Sequence, residues 1–305
     1  MSTKFSSGKS ISPAKISKSD PPTRYRLPHD NLFFATLISI NESASLGSGF
    51  RVKYKGFNFL VTAKHVLFTK NAVRYGDDMV LTCYGPERNE TAPWIYLVDL
   101  REAKVFSSVA YDIAAVLLGS NVAIEGHDHK TPLKELKAND VRPTHLVPEP
   151  YVSVASAGSG HIVSLDAEAI GKLDNVSLAN DVYLSGFPTS LGIRSNDYYD
   201  FRKPLIRKGI VAGIYPEKST FVIDCPSYPG NSGGPVVEHC SDDYFRVTGV
   251  VSKFIPYETR WHSNRGDVTN VDIANSGYTV CTSMDAVVKM LEDAVAQLNS
   301  ESDCR

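Results

Sequence analysis

The sequence predicts an all-β protein with one α-helix at its C-terminal end. From Asn31 onward, short apolar runs alternate with polar segments that contain Gly and Pro, which is typical of sandwiches and barrels. No stretch alternates strand and helix patterns as a parallel α/β protein would. Helical periodicity appears only near the end, where six apolar residues share one face: Met284, Val287, Val288, Leu291, Val295 and Leu298.

The first 27 residues predict a disordered basic tail ahead of the strands. They contain seven serines and six basic residues against one acid, and they lack the apolar segment of a secretory signal. Two sets of strand-like runs follow, over 31–119 and 161–283, and Lys55-Gly56 marks a hairpin turn in the first set. The polar, proline-bearing stretch 120–150 predicts the crossover between two halves.

Composition and charge exclude several classes of function. A formal net charge of −2 over 305 residues gives no reason to expect nucleic acid or a membrane surface as a partner. The five cysteines are far apart and form no CxxC pair, so free thiols in a reducing, cytoplasmic setting are expected rather than disulfides or zinc. No cofactor is expected, and the two histidines in the polar stretch 126–130 predict no metal site.

Ser232 stands in the glycine-rich segment GNSGG, residues 230–234. This segment matches G-x-S-x-G, the nucleophile elbow of α/β-hydrolases, which needs a helix directly after the serine and an acid and a histidine later in the chain. Here glycine, proline and a strand-like run follow the serine instead of a helix, so the segment does not fit an α/β-hydrolase. The other arrangement for an activated serine has its histidine and its acid upstream.

His65 and Asp112 are the upstream partners that this arrangement predicts. A serine hydroxyl becomes a nucleophile when an imidazole takes its proton and a carboxylate holds that imidazole in the right tautomer. His65 follows an apolar strand and can project into a cleft, and Asp112 precedes another apolar strand, where its carboxylate can be partly buried. Asp77 and Asp99 are rival carboxylates, but neither has the Ile-Ala-Ala sequence that follows Asp112.

An ordered set of motifs resembles the trypsin-like serine protease family. The motifs are GSGFRV and LVTAKHV within 47–66, YDIAAVLL at 111–118, YLSGFP at 183–188 and GNSGGPVV at 230–237. The disulfide-free bacterial branch, which includes the HtrA-type proteases, is the most similar, and no PDZ-like domain fits after Leu298. The resemblance implies a chymotrypsin-like fold of two antiparallel six-stranded β-barrels, with the active site between them and the helix at the end.

The same resemblance implies a division of the chain and a role for each site residue. The expected division is a tail (1–27), a first barrel (28–145), a second barrel (146–283), and a helix and tail (284–305). Ser232 would attack the substrate, His65 would act as base and then as acid, and Asp112 would orient His65. The backbone N–H groups of Gly230 and Ser232 would form the oxyanion hole.

Two departures from the digestive relatives bear on activation. Val66 stands where they carry a cysteine, and Asn231 stands where they carry an aspartate that pairs with a new N-terminus after zymogen cleavage. Because an uncharged amide cannot form that ion pair, activation through N-terminal insertion is not expected. Loop ordering or an activating partner protein could control activity instead.

The specificity pocket is expected to be uncharged. Pro226, six residues before the serine, would lie at its base, where a preference for Lys or Arg needs an acid. Ser252, Lys253 and Phe254 would belong to the strand that pairs with the substrate backbone, with Phe254 narrowing the pocket mouth. Small or medium apolar side chains are therefore the expected preference.

The sequence thus predicts a cytoplasmic serine endopeptidase that acts on a protein or peptide substrate, in limited or regulated proteolysis. The alternative from another class is a latent or pseudoprotease fold that serves as a protein-binding module until a partner activates it. The intact set of His65, Asp112 and Ser232 favours the enzyme, whereas the Lys253-Phe254 pair keeps the alternative open.

Overall fold

Two β-sheets and a C-terminal helix make up the part of the chain that the structure describes. This structure is a computed structural model, and it describes residues 35–43, 45–84, 92–127, 129–131, 143–158, 162–189, 198–240, 245–262 and 269–303. The predicted tail, residues 1–27, lies outside these ranges. Among the described helices, none is long and apolar enough to cross a membrane.

The first sheet has ten strands. They are β1 (Ala35–Ile40), β2 (Ser45–Tyr54), β3 (Phe57–Thr62), β4 (Asp78–Cys83), β5 (Trp94–Asp99), β6 (Val105–Ser107), β7 (Ala114–Ala123), β8 (Thr144–Pro148), β9 (Val152–Ser156) and β10 (Leu165–Asp166). The main order is β6-β7-β3-β2-β1-β4-β5-β9, with β8 paired to β7 and β10 to β2. The expected six-stranded barrel is therefore enlarged, and its hydrogen-bonded path ends at β6 and β9 rather than closing.

The enlargement comes from the segment that follows β7. The sequence predicts a crossover there, but β8 extends β7 antiparallel and β9 extends β5. Both β9 and β10 lie beyond residue 145 and still hydrogen-bond to the first sheet. The boundary between the two barrels at that residue stays a prediction. The hairpin turn between β2 and β3 is confirmed, since Lys55 and Gly56 both have positive φ, of 46° and 86°.

The second sheet is a closed barrel of six strands, as predicted. Its strands are β11 (Asp181–Gly186), β12 (Leu205–Tyr215), β13 (Thr220–Asp224), β14 (Pro235–His239), β15 (Phe245–His262) and β16 (Thr269–Ser283). They pair antiparallel in the ring order β11-β12-β13-β16-β15-β14. Beyond the ring, β15 and β16 continue as a two-stranded arm from the Pro256–Asn275 pair to the His262–Thr269 pair.

The C-terminal helix joins the two sheets. The structure has α1 (Lys64–Leu67), described below with the site, and α2 (Met284–Asp303). All six apolar residues predicted for one face of α2 pack in a single cluster with Phe50 and Phe59 of the first sheet and Val250 of the barrel. Burying each such side chain contributes about 1.5–3 kcal/mol, so the helix fixes the sheets against each other and with them the cleft between them.

Candidate active site

His65 is placed by a short helix that follows directly on strand β3. Val66 and Leu67 of α1 are buried in the core of the first sheet, which anchors the helix. The side chain of His65 is 48% exposed and faces a cleft between the two sheets. The chain thus holds the ring at the end of a buried strand, as the sequence predicts.

Asp112 contacts His65 at two points. Its Oδ2 lies 2.6 Å from the ring Nδ1, and its Oδ1 accepts a hydrogen bond from the main-chain N–H of His65 at 3.0 Å. Because an ionised carboxylate only accepts hydrogen bonds, Nδ1 carries the proton here, and Nε2 of the neutral ring is left as an acceptor. The rival Asp99 is instead bonded by Arg101, and that hydrogen bond lowers the pKa of Asp99.

The loop that carries Asp112 is held by residues that the sequence did not reveal. Ser108 Oγ accepts from the N–H of Ala110 and of Tyr111, and its carbonyl accepts from Lys64 Nζ at 3.0 Å. Tyr111 also donates its hydroxyl to Ser219 Oγ in the second half, at 3.1 Å. These contacts fix the carboxylate relative to both sheets.

Ser232 lies in a tight segment between β13 and β14 in the barrel, and it lines the same cleft as His65 and Asp112. Its carbonyl accepts from the N–H of Ser48 in the first sheet at 2.9 Å, and Gly233 N–H donates to Val251 O at 2.8 Å. The hydroxyl Oγ lies 3.5 Å from Ser252 O. In the described part of the chain no hydrogen bond links Ser232 Oγ to His65.

The sequence itself matches a known family over two thirds of its length. The model of the trypsin-like peptidase domain matches residues 47–250, which include His65, Asp112 and Ser232. The chain belongs to the trypsin-like peptidase family.

Comparison with solved structures finds this chain similar to two proteases. A serine endoprotease from Yersinia pestis aligns over 87% of this chain with 14% identity and a TM-score of 0.45. The HtrA-type protease AlgW, solved with a decapeptide, aligns over 82% with 14% identity and a TM-score of 0.43. The chain spans 65% and 51% of the length of these two proteins. No curated protein matches the sequence.

The backbone of the peptidase leaves two N–H groups available beside Ser232. Among the residues between 230 and 233, Asn231 N–H donates to Tyr228 O at 2.9 Å and Gly233 N–H is bonded as above. The N–H groups of Gly230 and Ser232 have no acceptor within the described ranges. Those are the two groups that the resemblance to trypsin-like proteases implies for an oxyanion hole.

The cleft has a volume of about 650 Å³, and most of the predicted substrate-contacting residues line it. Ser252, Lys253 and Phe254 are lining residues, but Ser252 turns its hydroxyl into the barrel, 2.8 Å from Thr282 Oγ1. Pro226 does not line the cleft in the described structure, and Ser227, Tyr228 and Pro229 do. These residues follow the end of β13 at Asp224, and the irregular backbone there directs Ser227 rather than Pro226 into the cleft.

Ser227 gives this part of the cleft an uncharged polar character. It is only 3% exposed, and its Oγ lies 2.8 Å from Thr279 Oγ1, which also bonds Cys225 O at 2.6 Å. Because the single Thr279 proton goes to the carbonyl, Ser227 donates to Thr279 and keeps only acceptor capacity. Burial raises the pKa of the nearby Cys225 thiol to about 11, so the thiol itself carries no charge at neutral pH.

Nothing in the described residues suggests a metal centre. No group of three or more His, Cys, Asp or Glu is arranged to hold a metal ion within the ranges given above. Four of the five cysteines fall in those ranges, and none of the four forms a disulfide within them.

Proposed function

We propose that this trypsin-like peptidase hydrolyses peptide bonds with Ser232 as nucleophile, His65 as general base and acid, and Asp112 as the group that orients His65. The observation that carries the proposal is the double contact of Asp112 with the ring Nδ1 and the main-chain N–H of His65, at 2.6 and 3.0 Å. This contact leaves Nε2 able to accept a proton in the cleft that Ser232 lines.

The proposed reaction has two halves. Ser232 Oγ attacks the substrate carbonyl carbon while its proton passes to His65 Nε2, and the negative oxygen of the tetrahedral intermediate accepts from the N–H groups of Gly230 and Ser232. His65 then gives the proton to the leaving amine, and an acyl group remains on Ser232. Water repeats the sequence with the acyl-enzyme and releases the acid.

The position of the Ser232 hydroxyl is compatible with this reaction. Its 3.5 Å separation from Ser252 O is at the outer limit of a hydrogen bond, so little holds the side chain in that rotamer. A serine changes rotamer by a single χ1 rotation, and catalytic hydrogen bonds are often absent until substrate binds. We therefore expect the hydroxyl to turn to His65 when substrate fills the cleft.

Strand β15 supplies a free edge for the substrate backbone. It pairs with β16 on one side from Gly249 to His262, but with β14 on the other side only as far as the Pro235–Val250 pair. From Ser252 onward its second edge has no partner strand among those described, and it faces the cleft. We propose that the substrate adds there as an antiparallel strand and that the uncharged site near Ser227 receives a small or medium side chain.

The pathway remains a further part of the proposal. The thiols of the described cysteines form no disulfide, which favours a reducing, intracellular location, and limited cleavage of a protein substrate belongs to the same proposal. The second candidate is a latent protease fold that binds proteins until a partner activates it. It is favoured by one observation, that Ser232 Oγ contacts Ser252 O and not His65.

The test is labelling with a fluorophosphonate probe, read by intact mass, on purified wild type, Ser232→Ala and His65→Ala. We expect one adduct per chain on wild type and none on Ser232→Ala. His65→Ala should label at least 10³-fold more slowly because the serine loses its base. Absence of labelling on folded wild type would contradict the proposal and favour the latent alternative, for which peptide hydrolysis should appear only after a partner is added.

A further inference from the structure

The turn that precedes Ser232 has one of two possible orientations for its central peptide. Asn231 N–H donates to Tyr228 O at 2.9 Å, Pro229 is the second residue, and Gly230 is the third with a φ of +95°. A proline second and a positive φ third define a type II turn, whereas a type I turn has φ near −90° at the third residue. The two types differ by a flip of the Pro229–Gly230 peptide, which exchanges the directions of its C=O and its N–H.

Thr189 holds the Pro229 carbonyl with two donors. Its main-chain N–H lies 2.9 Å from Pro229 O, and its hydroxyl donates to the same oxygen at 3.2 Å. Thr189 does not line the cleft, whereas Tyr228, Pro229 and Ser232 do. Because a trans peptide is planar with its C=O and N–H opposed, the Gly230 N–H points away from Thr189 and toward the cleft side.

Ser48 holds the next carbonyl from the first sheet. Its Oγ donates to Gly230 O at 2.6 Å and accepts from Phe187 N–H at 3.0 Å, in a fully buried position. The main-chain N–H of the same residue donates to Ser232 O. Both peptide planes that flank Gly230 are therefore fixed, one by each sheet.

The segment after β11 also fits closely around Gly230. A Cβ at this position would lie within about 3 Å of Phe187 O, Thr189 N and Thr189 Oγ1, so only glycine can occupy it without a shift of the backbone. The side-chain Oδ1 of Asn231 is buried without a hydrogen-bond partner in the described structure, so this oxygen adds no restraint to the turn.

We propose that Ser48 and Thr189 are positioning residues that hold the Pro229–Gly230 peptide in its type II orientation, with the Gly230 N–H directed at the substrate oxygen. They replace the ion pair that relatives with an aspartate at the position of Asn231 form with a new N-terminus. The oxyanion site is then formed before substrate binds and without a new N-terminus. This inference rests on the proposed function, in which that N–H stabilises the tetrahedral intermediate.

The kinetic test compares Thr189→Val, Thr189→Ser and Ser48→Ala with wild type. Loss of one oxyanion donor costs about 10²–10³ in rate, which sets the upper limit. We expect Ser48→Ala to lower kcat by about 10²-fold and Thr189→Val by about tenfold, because its N–H still bonds Pro229 O. KM should change little, Thr189→Ser should restore most of the rate, and the Ki of a peptide aldehyde should rise in proportion to the loss in kcat/KM.

Thr248→Val is the matched control. Thr248 is a buried threonine of the same barrel whose hydroxyl donates to Val236 O at 3.4 Å, away from the cleft. The activity of Thr248→Val should equal that of wild type. Unchanged kcat in folded Thr189→Val, or an equal loss in Thr248→Val, would overturn the inference.

Crystal structures of wild type and the Ser48→Ala/Thr189→Val variant separate this inference from the proposed function. A positive Gly230 φ in wild type and a negative one in the variant would support the inference even if wild type proved inactive, which would count against the proposed function alone. An unflipped turn in the variant would overturn the inference even in an active enzyme. If Ser48→Ala fails to fold because Gly230 O and Phe187 N–H lose their partner, Thr189→Val alone carries the test.

Discussion

The two sides of the cleft are built differently. On the first-sheet side, the side chains of His65 and Asp112 are 48% and 37% exposed, and the ring is held mainly by one carboxylate. On the barrel side, the backbone from 228 to 234 is bonded to Ser48, Thr189 and Val251, and Asn231 and Gly233 are buried. The base is therefore exposed to solvent and has few contacts. The segment that carries the nucleophile is instead held by several hydrogen bonds and is largely buried.

This difference separates activity from stability. A change at the exposed pair should alter the chemistry and leave the fold intact, since exposed ion pairs contribute about 0–1 kcal/mol to stability. A change in the serine segment should disturb the contact between the sheets as well. Three substitutions probe this contrast, from the largest expected effect to the smallest.

Asp112→Asn should produce the largest loss of activity. The asparagine oxygen can still accept from the His65 main-chain N–H, but its NH₂ group would face the ring Nδ1 and favour the wrong tautomer. We expect kcat to fall by about 10³–10⁴-fold and the free energy of unfolding to change by less than about 1 kcal/mol. Steady-state kinetics and urea unfolding of the same preparation measure both quantities, and a large loss of stability would break the contrast.

Gly233→Ala should mainly reduce stability, and Gly56→Ala is its matched control. The two glycines have nearly equal φ, +85° and +86°, so both substitutions incur about 1–2 kcal/mol of backbone strain. A Cβ at Gly233 would lie within 3 Å of Ser48 O, Thr62 Oγ1 and Ala63 N. A Cβ at Gly56 would have no neighbouring atom of the described residues within 4 Å. We expect Gly233→Ala to lose about 3–5 kcal/mol in all, through added overpacking.

Urea unfolding of the two glycine variants decides between packing and backbone strain. Equal losses would mean that strain alone acts and that the serine segment is not tightly packed. A clear excess for Gly233→Ala would place the added cost at the junction between the two sheets.

Lys253→Glu should have the smallest effect, on substrate choice. Lys64, Lys70 and Lys253 line the cleft, and Asp112 is the single carboxylate among its described lining residues. We expect wild type to favour peptides with acidic residues beside the scissile bond, and the variant to reduce that preference by about threefold to tenfold at low salt. The ratio of kcat/KM for a Glu- and a Lys-containing peptide measures it. An equal change in Lys289→Glu, an exposed site on α2, would contradict a local effect.

The sequence predicts the residues with chemical roles better than the residues that hold them. His65, Asp112 and Ser232 carry recognisable local motifs, and the structure brings them to one cleft. Ser48 lies in the matched GSGFRV motif, but its bond to Gly230 joins residues 182 positions apart, which no local pattern reveals. Thr189 has no motif of its own beyond following YLSGFP.

Two further differences between the prediction and the structure depend on the three-dimensional fold. Pro226 was assigned to the pocket by its distance in sequence from Ser232, but the local backbone directs Ser227 there instead. The added strands β8, β9 and β10 come from polar, partly exposed segments whose pairing depends on open edges elsewhere in the first sheet. Their short runs lack the apolar alternation that marks a buried strand.

The most direct test of the account is a burst measurement with p-nitrophenyl acetate on the purified protein, without any added partner. Acylation of a preformed site predicts a rapid burst of about one nitrophenolate per chain, followed by slower turnover, and no burst in Ser232→Ala. A folded wild type that shows no burst would contradict the claim that the two sheets assemble an active serine on their own.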